Sequence, residues 1–158
     1  MTITVKSTAF VSNEPIPKKH TADGADLSPP LTWSGHPHGV KEFALICDDP
    51  DAPTPEPWVH WVLYKIPADT ASLPENIEKK ETPSTPPGAQ QGQNSFHKIG
   101  YGGPAPPKGH GVHHYHFKLY ALDTPIEISG PTDKKRLLNA IKGHILAEGE
   151  LVGTYERK

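Results

Sequence analysis

The chain has 158 residues, with sixteen Lys and Arg against eighteen Asp and Glu for a formal charge of −2, and ten His. That length can bury a core without disulfides or metal and predicts one domain, while the near-balance of charge excludes the basic footprint of a nucleic-acid binder or a polybasic membrane surface. One cysteine, Cys47, excludes an internal disulfide, and no stretch has the length of a membrane span or the pattern of a signal peptide, so the sequence reads as cytoplasmic with no integral membrane segment.

Ile3 and Val5 alternate with Thr2, Thr4 and Lys6, predicting a short opening strand that ends before Glu14-Pro15-Ile16-Pro17. His20 to Pro30 is rich in turn residues, and Leu31-Thr32-Trp33 reads as a brief strand before the Gly35 to Gly39 turn. Phe43 to Cys47 is an apolar run of strand length, and Pro50 and Pro53 bar a helix from the acidic segment behind it. Asp48, Asp49 and Asp51 are therefore expected at the mouth of a strand. Trp58 to Ile66 follows as another strand, in which period 2 puts Trp58, His60, Val62 and Tyr64 on one face.

Pro67 to Ile99 has few apolar residues and reads as a surface excursion, irregular over Thr82 to Asn94. In Gly100 to Gly111 the glycines permit positive φ while the prolines stiffen the rest, which predicts a shaped loop. Val112 to Asp123 alternates His113, Tyr115, Phe117, Leu119 and Ala121 on an inward face with His114, His116, Lys118 and Tyr120 on an outward one. A helix over about 132–147, capped by Thr132 or Asp133, carries the stripe Leu137, Leu138, Ile141 and Ile145 and stops at Gly149, and Leu151 to Tyr155 is a last strand. Short strands with Pro and Gly turns and one late helix make a mainly β sandwich with a small helical part.

Two blocks reach a known family. Asp49-Pro50-Asp51-Ala52-Pro53 with Trp58-x-His60, then Tyr101 leading a Gly/Pro loop into Gly111-x-His113-x-Tyr115, resembles the phosphatidylethanolamine-binding protein family, and most the bacterial and archaeal Raf kinase inhibitor-like branch. The resemblance extends through Leu27 to Trp33 and Tyr120 to Asp123. It implies a Greek-key antiparallel β-sandwich with a shallow anion pocket and no known metal or organic cofactor. Carried over by motif, the ligand-binding residues are Asp49, Asp51, Trp58, His60, Tyr101, His113 and Tyr115. It also implies cis peptides near the acidic loop, for which Ala52-Pro53 and Glu56-Pro57 are the candidates. The chain departs from the family in His114, where Arg is common, and in Ala105, where Gly is frequent; an imidazole grips an anion less firmly than a guanidinium.

The chemistry expected of these residues is capture of a phosphate, a carboxylate or a phospholipid headgroup. Carboxylates beside His60 and His113 favour imidazolium, giving cationic donors, with the Tyr115 hydroxyl and glycine N–H groups of the 100–111 loop beside them. No catalytic residue is assigned, because no Ser or Cys stands in a nucleophile turn. Two other chemistries stand against this one: a hydrolase using Asp51 and His60 as an acid–base pair, and a metal site of His114-x-His116 completed by His110 and His20. A kinase or protease is the protein partner the family implies, with the Thr82 to Gly92 loop as the docking surface; a homodimer is left open.

Overall fold

The computed structural model describes residues 2–158. The strands are β1 Thr4–Lys6, β2 Leu31–Ser34, β3 Glu42–Asp49, β4 Trp58–Pro67, β5 Ser72–Leu73, β6 Gln90–Gln91, β7 His113–Leu122 and β8 Ile145–Tyr155, with one helix, α1, at Lys134–Ile141. They form a small sheet in the order β1-β2-β5 and a large one in the order β6-β4-β3-β7-β8. All pairs within both sheets are antiparallel. β3 and β4 make a hairpin, and the chain then returns to lay β7 on the other side of β3, the Greek-key connection expected.

β3 is central and every one of its residues is buried, because both its faces are covered. Phe43, Leu45 and Cys47 face the small sheet and join Leu31, Trp33, Leu73, Trp61, Phe117 and Leu119 in the main core. Ala44 and Ile46 face the other way, where Val62, Tyr64, Tyr120, Leu122, Leu137 and Ile141 form a second core under α1. Each large side chain moved from water into such a core contributes about 1.5–3 kcal/mol. Tyr120 was expected on the outward face of β7; α1 covers that end of the face and buries it.

The sequence pattern misplaced three features. β3 and β4 slip register between Cys47 and Asp48: Cys47 faces Trp61 while Asp48 faces Val59, so His60 is the extra residue of a β-bulge. The bulge parts His60 from the expected face-mates Val62 and Tyr64, which go to the second core. The helix ends at Ile141, with Gly143 at φ 83° behind it in the left-handed position that favours glycine; Ile145 and Gly149 belong to β8. Gly149 is needed for close approach, since a Cβ there would lie 2.9 Å from that of Ile3 as the N-terminal segment crosses, pinned by the Ile3 N–H on Glu148 O at 2.8 Å. Third, the 67–99 excursion is tied in: Gln91 on β6 is buried, accepts from Trp61 Nε1 at 2.7 Å and donates to the carbonyls of Glu78 and Lys80.

The cis peptide of the described chain is Thr85-Pro86, not Ala52-Pro53 or Glu56-Pro57. The acidic loop turns by side-chain capping, with the Asp51 N–H on Asp49 Oδ1 at 2.8 Å, so trans bonds suffice. No helix among the described residues is long and apolar enough to cross a membrane.

Candidate functional site

At one end of the large sheet, β3 delivers Asp49, the β4 bulge delivers His60, and β7 delivers His113 and Tyr115. They line a pocket of about 210 Å³ walled by Pro53, Trp58, Phe96, Ala105, Pro106 and Pro107. Two broader clefts, of about 740 and 710 Å³, flank it, one bordered by Lys134, Lys135 and Leu138 of α1 and the other by Trp58, Phe96 and Tyr101. The small pocket is the one that gathers buried ionisable groups.

Asp49 and His113 are both almost fully buried, and His113 Nδ1–H donates to Asp49 Oδ2 at 2.6 Å. His113 Nε2 lies 2.6 Å from Nδ1 of the exposed His110, so one proton must lie between the two rings. Asp49, His113 and His110 thus form a chain running from core to surface. His60 Nδ1–H donates to the Gly102 carbonyl at 2.5 Å, and the Gly102 N–H returns a bond to His60 O at 2.9 Å. Phe96 sits edge-on to both Trp58 and His60, with centroids 5.5 Å apart in each case. Its ring would lie 2.7 Å from a Cβ at position 102, which is why a glycine stands there.

The electrostatics differ from the sequence expectation at His60. Burial is the largest influence and holds its imidazolium below the ordinary value, outweighing the Gly102 carbonyl and the charges of Asp49, Asp26 and Asp48. His60 is a neutral ring, not a cationic donor. Burial first and Asp49 second push the Tyr115 hydroxyl far above its usual range, so it stays protonated.

Of the residues carried over from the motif, Asp49, Trp58, His60, His113 and Tyr115 meet at the pocket. Asp51 does not: beyond the Asp49 cap it turns outward, where Oδ2 accepts from both the N–H and the Nδ1–H of His114 at 2.8 Å. Burial alone would raise the Asp51 carboxyl, but the two His114 bonds together lower it. Tyr101 sits in the core edge-on to Trp61, its hydroxyl on His20 O at 2.6 Å, and borders the neighbouring cleft.

The glycine-loop N–H donors are also largely committed, Gly102 to His60, Gly103 to Asp26 and Gly109 to Arg157. The Asp51–His60 acid–base pair does not form. His114, His116, His110 and His20 bind Asp51, Glu150, His113 and the Leu27 carbonyl respectively, so the metal set is not assembled. No cluster of three or more ligating side chains exists among the described residues.

Sequence reasoning missed Phe96, the role of His110, and Arg157. Arg157 grips Asp23 through Nε and Nη2, donates to Pro106 O, and accepts from the Gly109 N–H, tying the proline wall to the C-terminal tail. The one available signal for Phe96 was a lone aromatic inside a polar run, held by a tight turn in which Asn94 Oδ1 accepts from the Phe96 N–H.

The sequence model described as phosphatidylethanolamine-binding protein matches residues 6–156. A UPF0098 protein of Pyrococcus horikoshii is 48% identical over 152 residues, covering 96% of this chain and 76% of that protein. One from Methanothermobacter thermautotrophicus is 45% identical over 153 residues, covering 97% and 98% respectively. The crystal structure of Escherichia coli YbcL, described as a new member of the mammalian family, superposes with a TM-score of 0.91 at 36% identity over 100% of both chains. With the match over residues 6–156, the relatives at 48 and 45% identity and the shared fold in agreement, the chain belongs to the phosphatidylethanolamine-binding protein family.

Proposed function

We propose that this protein is a binder, not an enzyme, and that its pocket takes a small oxyanion: phosphate, a carboxylate, or the phosphate of a lipid headgroup. The observation that carries this is the buried Asp49–His113 bond standing behind an open pocket that Tyr115 and His60 also line. Asp49 orients the His113 ring through the Nδ1–H bond, and the Tyr115 hydroxyl is a second donor. The volume suits a phosphate-sized group rather than a drug-sized ligand. His110 occupies His113 Nε2, so an anion competes with it; the flanking Gly109 and Gly111, at φ 72° and 92°, let that ring swing aside.

Calorimetric titration with inorganic phosphate tests the reading. His113→Gln is expected to weaken binding about ten- to a hundredfold, the loss of one charge-assisted bond. His116→Gln, whose ring bonds Glu150 away from the pocket, should leave it unchanged. Equal behaviour of the two variants would remove the pocket from consideration. Turnover of ester or phosphodiester panels by metal-free protein would show an enzyme instead. Membership of the Raf kinase inhibitor-like branch and a kinase or protease partner belong to the same proposal. The support for a protein partner is the exposed Thr82, Ser84, Thr85, Pro87 and Gly88 of the proline loop. A pull-down unaffected by replacing that loop would count against it.

A further inference from the structure

The bond between His60 and Gly102 decides more than the position of a ring. A carbonyl oxygen can only accept, so the proton of the neutral His60 imidazole is on Nδ1 and Nε2 carries a bare lone pair. Nε2 has no hydrogen-bond partner among the described residues. A ring flip, which would put carbons where the nitrogens stand and lose the Gly102 bond, is opposed by Phe96 and Tyr115, edge-on at 5.5 and 5.1 Å. Burial disfavours a second proton on the ring. On β7, two strands across the sheet, the Tyr115 hydroxyl lines the same pocket, has no acceptor among the described residues and stays protonated. The pocket therefore offers a fixed acceptor as well as a fixed donor.

We infer that the pocket selects an oxyanion that still carries a proton, hydrogen phosphate or a phosphomonoester monoanion, one oxygen donating to His60 Nε2 while another accepts from the Tyr115 hydroxyl. A fully ionised anion of the same shape sets an oxygen lone pair against the nitrogen lone pair and leaves a buried acceptor unpaired. Sulfate and a phosphodiester both fall in that class. The other titratable groups around the pocket are Asp49 on β3, His113 on β7, His110 on the glycine–proline loop, Asp26 behind Gly103, Asp48 on the far face of β3, and the Asp51–His114 pair at the rim. None of them donates to His60 Nε2. The inference rests on the anion-pocket reading above and narrows it to a ligand class.

The test is calorimetry on the full chain with inorganic phosphate, methyl phosphate, sulfate and dimethyl phosphate at pH 5.5 and 8. At pH 8 inorganic phosphate keeps one P–OH, whereas methyl phosphate, with a second ionisation near roughly 6, has lost its own. Phosphate should bind at both pH values. Sulfate and dimethyl phosphate should bind about ten- to a hundredfold more weakly at both, and methyl phosphate should match phosphate at pH 5.5 and fall to the level of sulfate at pH 8. The dimethyl phosphate arm separates a diester lipid headgroup from free phosphate or a monoester. The ¹⁵N resonance of His60 Nε2 in the unaltered protein should shift on adding phosphate, as its lone pair accepts a bond. His60→Gln, which can turn an amide N–H₂ toward the ligand, should narrow the preference over sulfate. Sulfate binding within about twofold of phosphate at pH 8 would overturn the selectivity and leave the anion pocket standing. Binding of none of the four would remove both.

Discussion

At the scale of single residues, His110 is the side chain whose placement changes the chemistry most. Its ring takes the outer nitrogen of His113, so the apo protein holds its strongest potential anion donor in an internal bond of 2.6 Å. His110→Ala removes the competitor without touching the Asp49–His113 bond. Phosphate affinity should rise by about two- to tenfold, the worth of one neutral hydrogen bond. A fall of that size in the same titration would mean that His110 itself binds the anion. The two aspartates of the motif show the same sensitivity to position. Asp49, at the end of β3, faces inward, while Asp51, two residues on, is turned out by the Asp49 cap and spends both of its His114 bonds on holding the loop to β7. His114 thus supplies the imidazole that pins the acidic loop.

At the scale of elements, the β4 bulge and α1 position the site from opposite faces of the sheet. The bulge adds one residue opposite the Cys47–Asp48 step and so turns His60 toward Tyr115 while Val62 and Tyr64 go under the helix. α1 is held by Asp133, whose Oδ1 accepts from the Arg136 N–H at 2.9 Å, and by Lys134 on the buried Asp48 at 2.6 Å. Asp133→Ala should lower stability by about 0.5–2 kcal/mol, read as a shift in the urea midpoint with an unchanged slope. The pocket lies across the sheet from α1, so phosphate affinity should survive that substitution. A parallel loss of binding would show that helix and pocket are coupled through β3.

For the whole molecule, the ionisable groups set two acid windows. His60 has a folded-state value below its ordinary 6.5, so the unfolded chain binds more protons in the interval between them. Its contribution to stability is complete above pH 6.5 and is lost as pH falls toward the folded value. Asp51 is likewise depressed below 3.8; its contribution is present above that value and lost as pH falls through the folded one. Urea midpoints between pH 8 and 5 should therefore fall with acidification below 6.5, and His60→Gln should flatten that segment relative to the unaltered protein. If the variant and the unaltered chain give parallel profiles, burial does not govern His60.

Much of this architecture was legible because it rests on local rules. Alternation along β7 separates the buried His113 and Tyr115 from the exposed His114 without any partner strand being known. The apolar run of β3, the proline-barred loop and the Asp133 cap are likewise properties of short segments. What the sequence could not determine depends on contacts between distant segments. The slip that isolates His60 exists only once β4 is paired with β3. The choice of Gly143 over Gly149 as the end of α1 depends on the pairing of β8 with β7 from Ile145 onward. The charge of His60 depends on how deeply Phe96, Tyr115 and Gly102 enclose it, since desolvation there outweighs nearby carboxylates. Sequence alone named Asp49, Trp58, His60, His113 and Tyr115 as candidates for one pocket, but not Phe96 or the role of His110. Tertiary packing decided which candidates meet there and, through burial and hydrogen-bond partners, which donate and which accept.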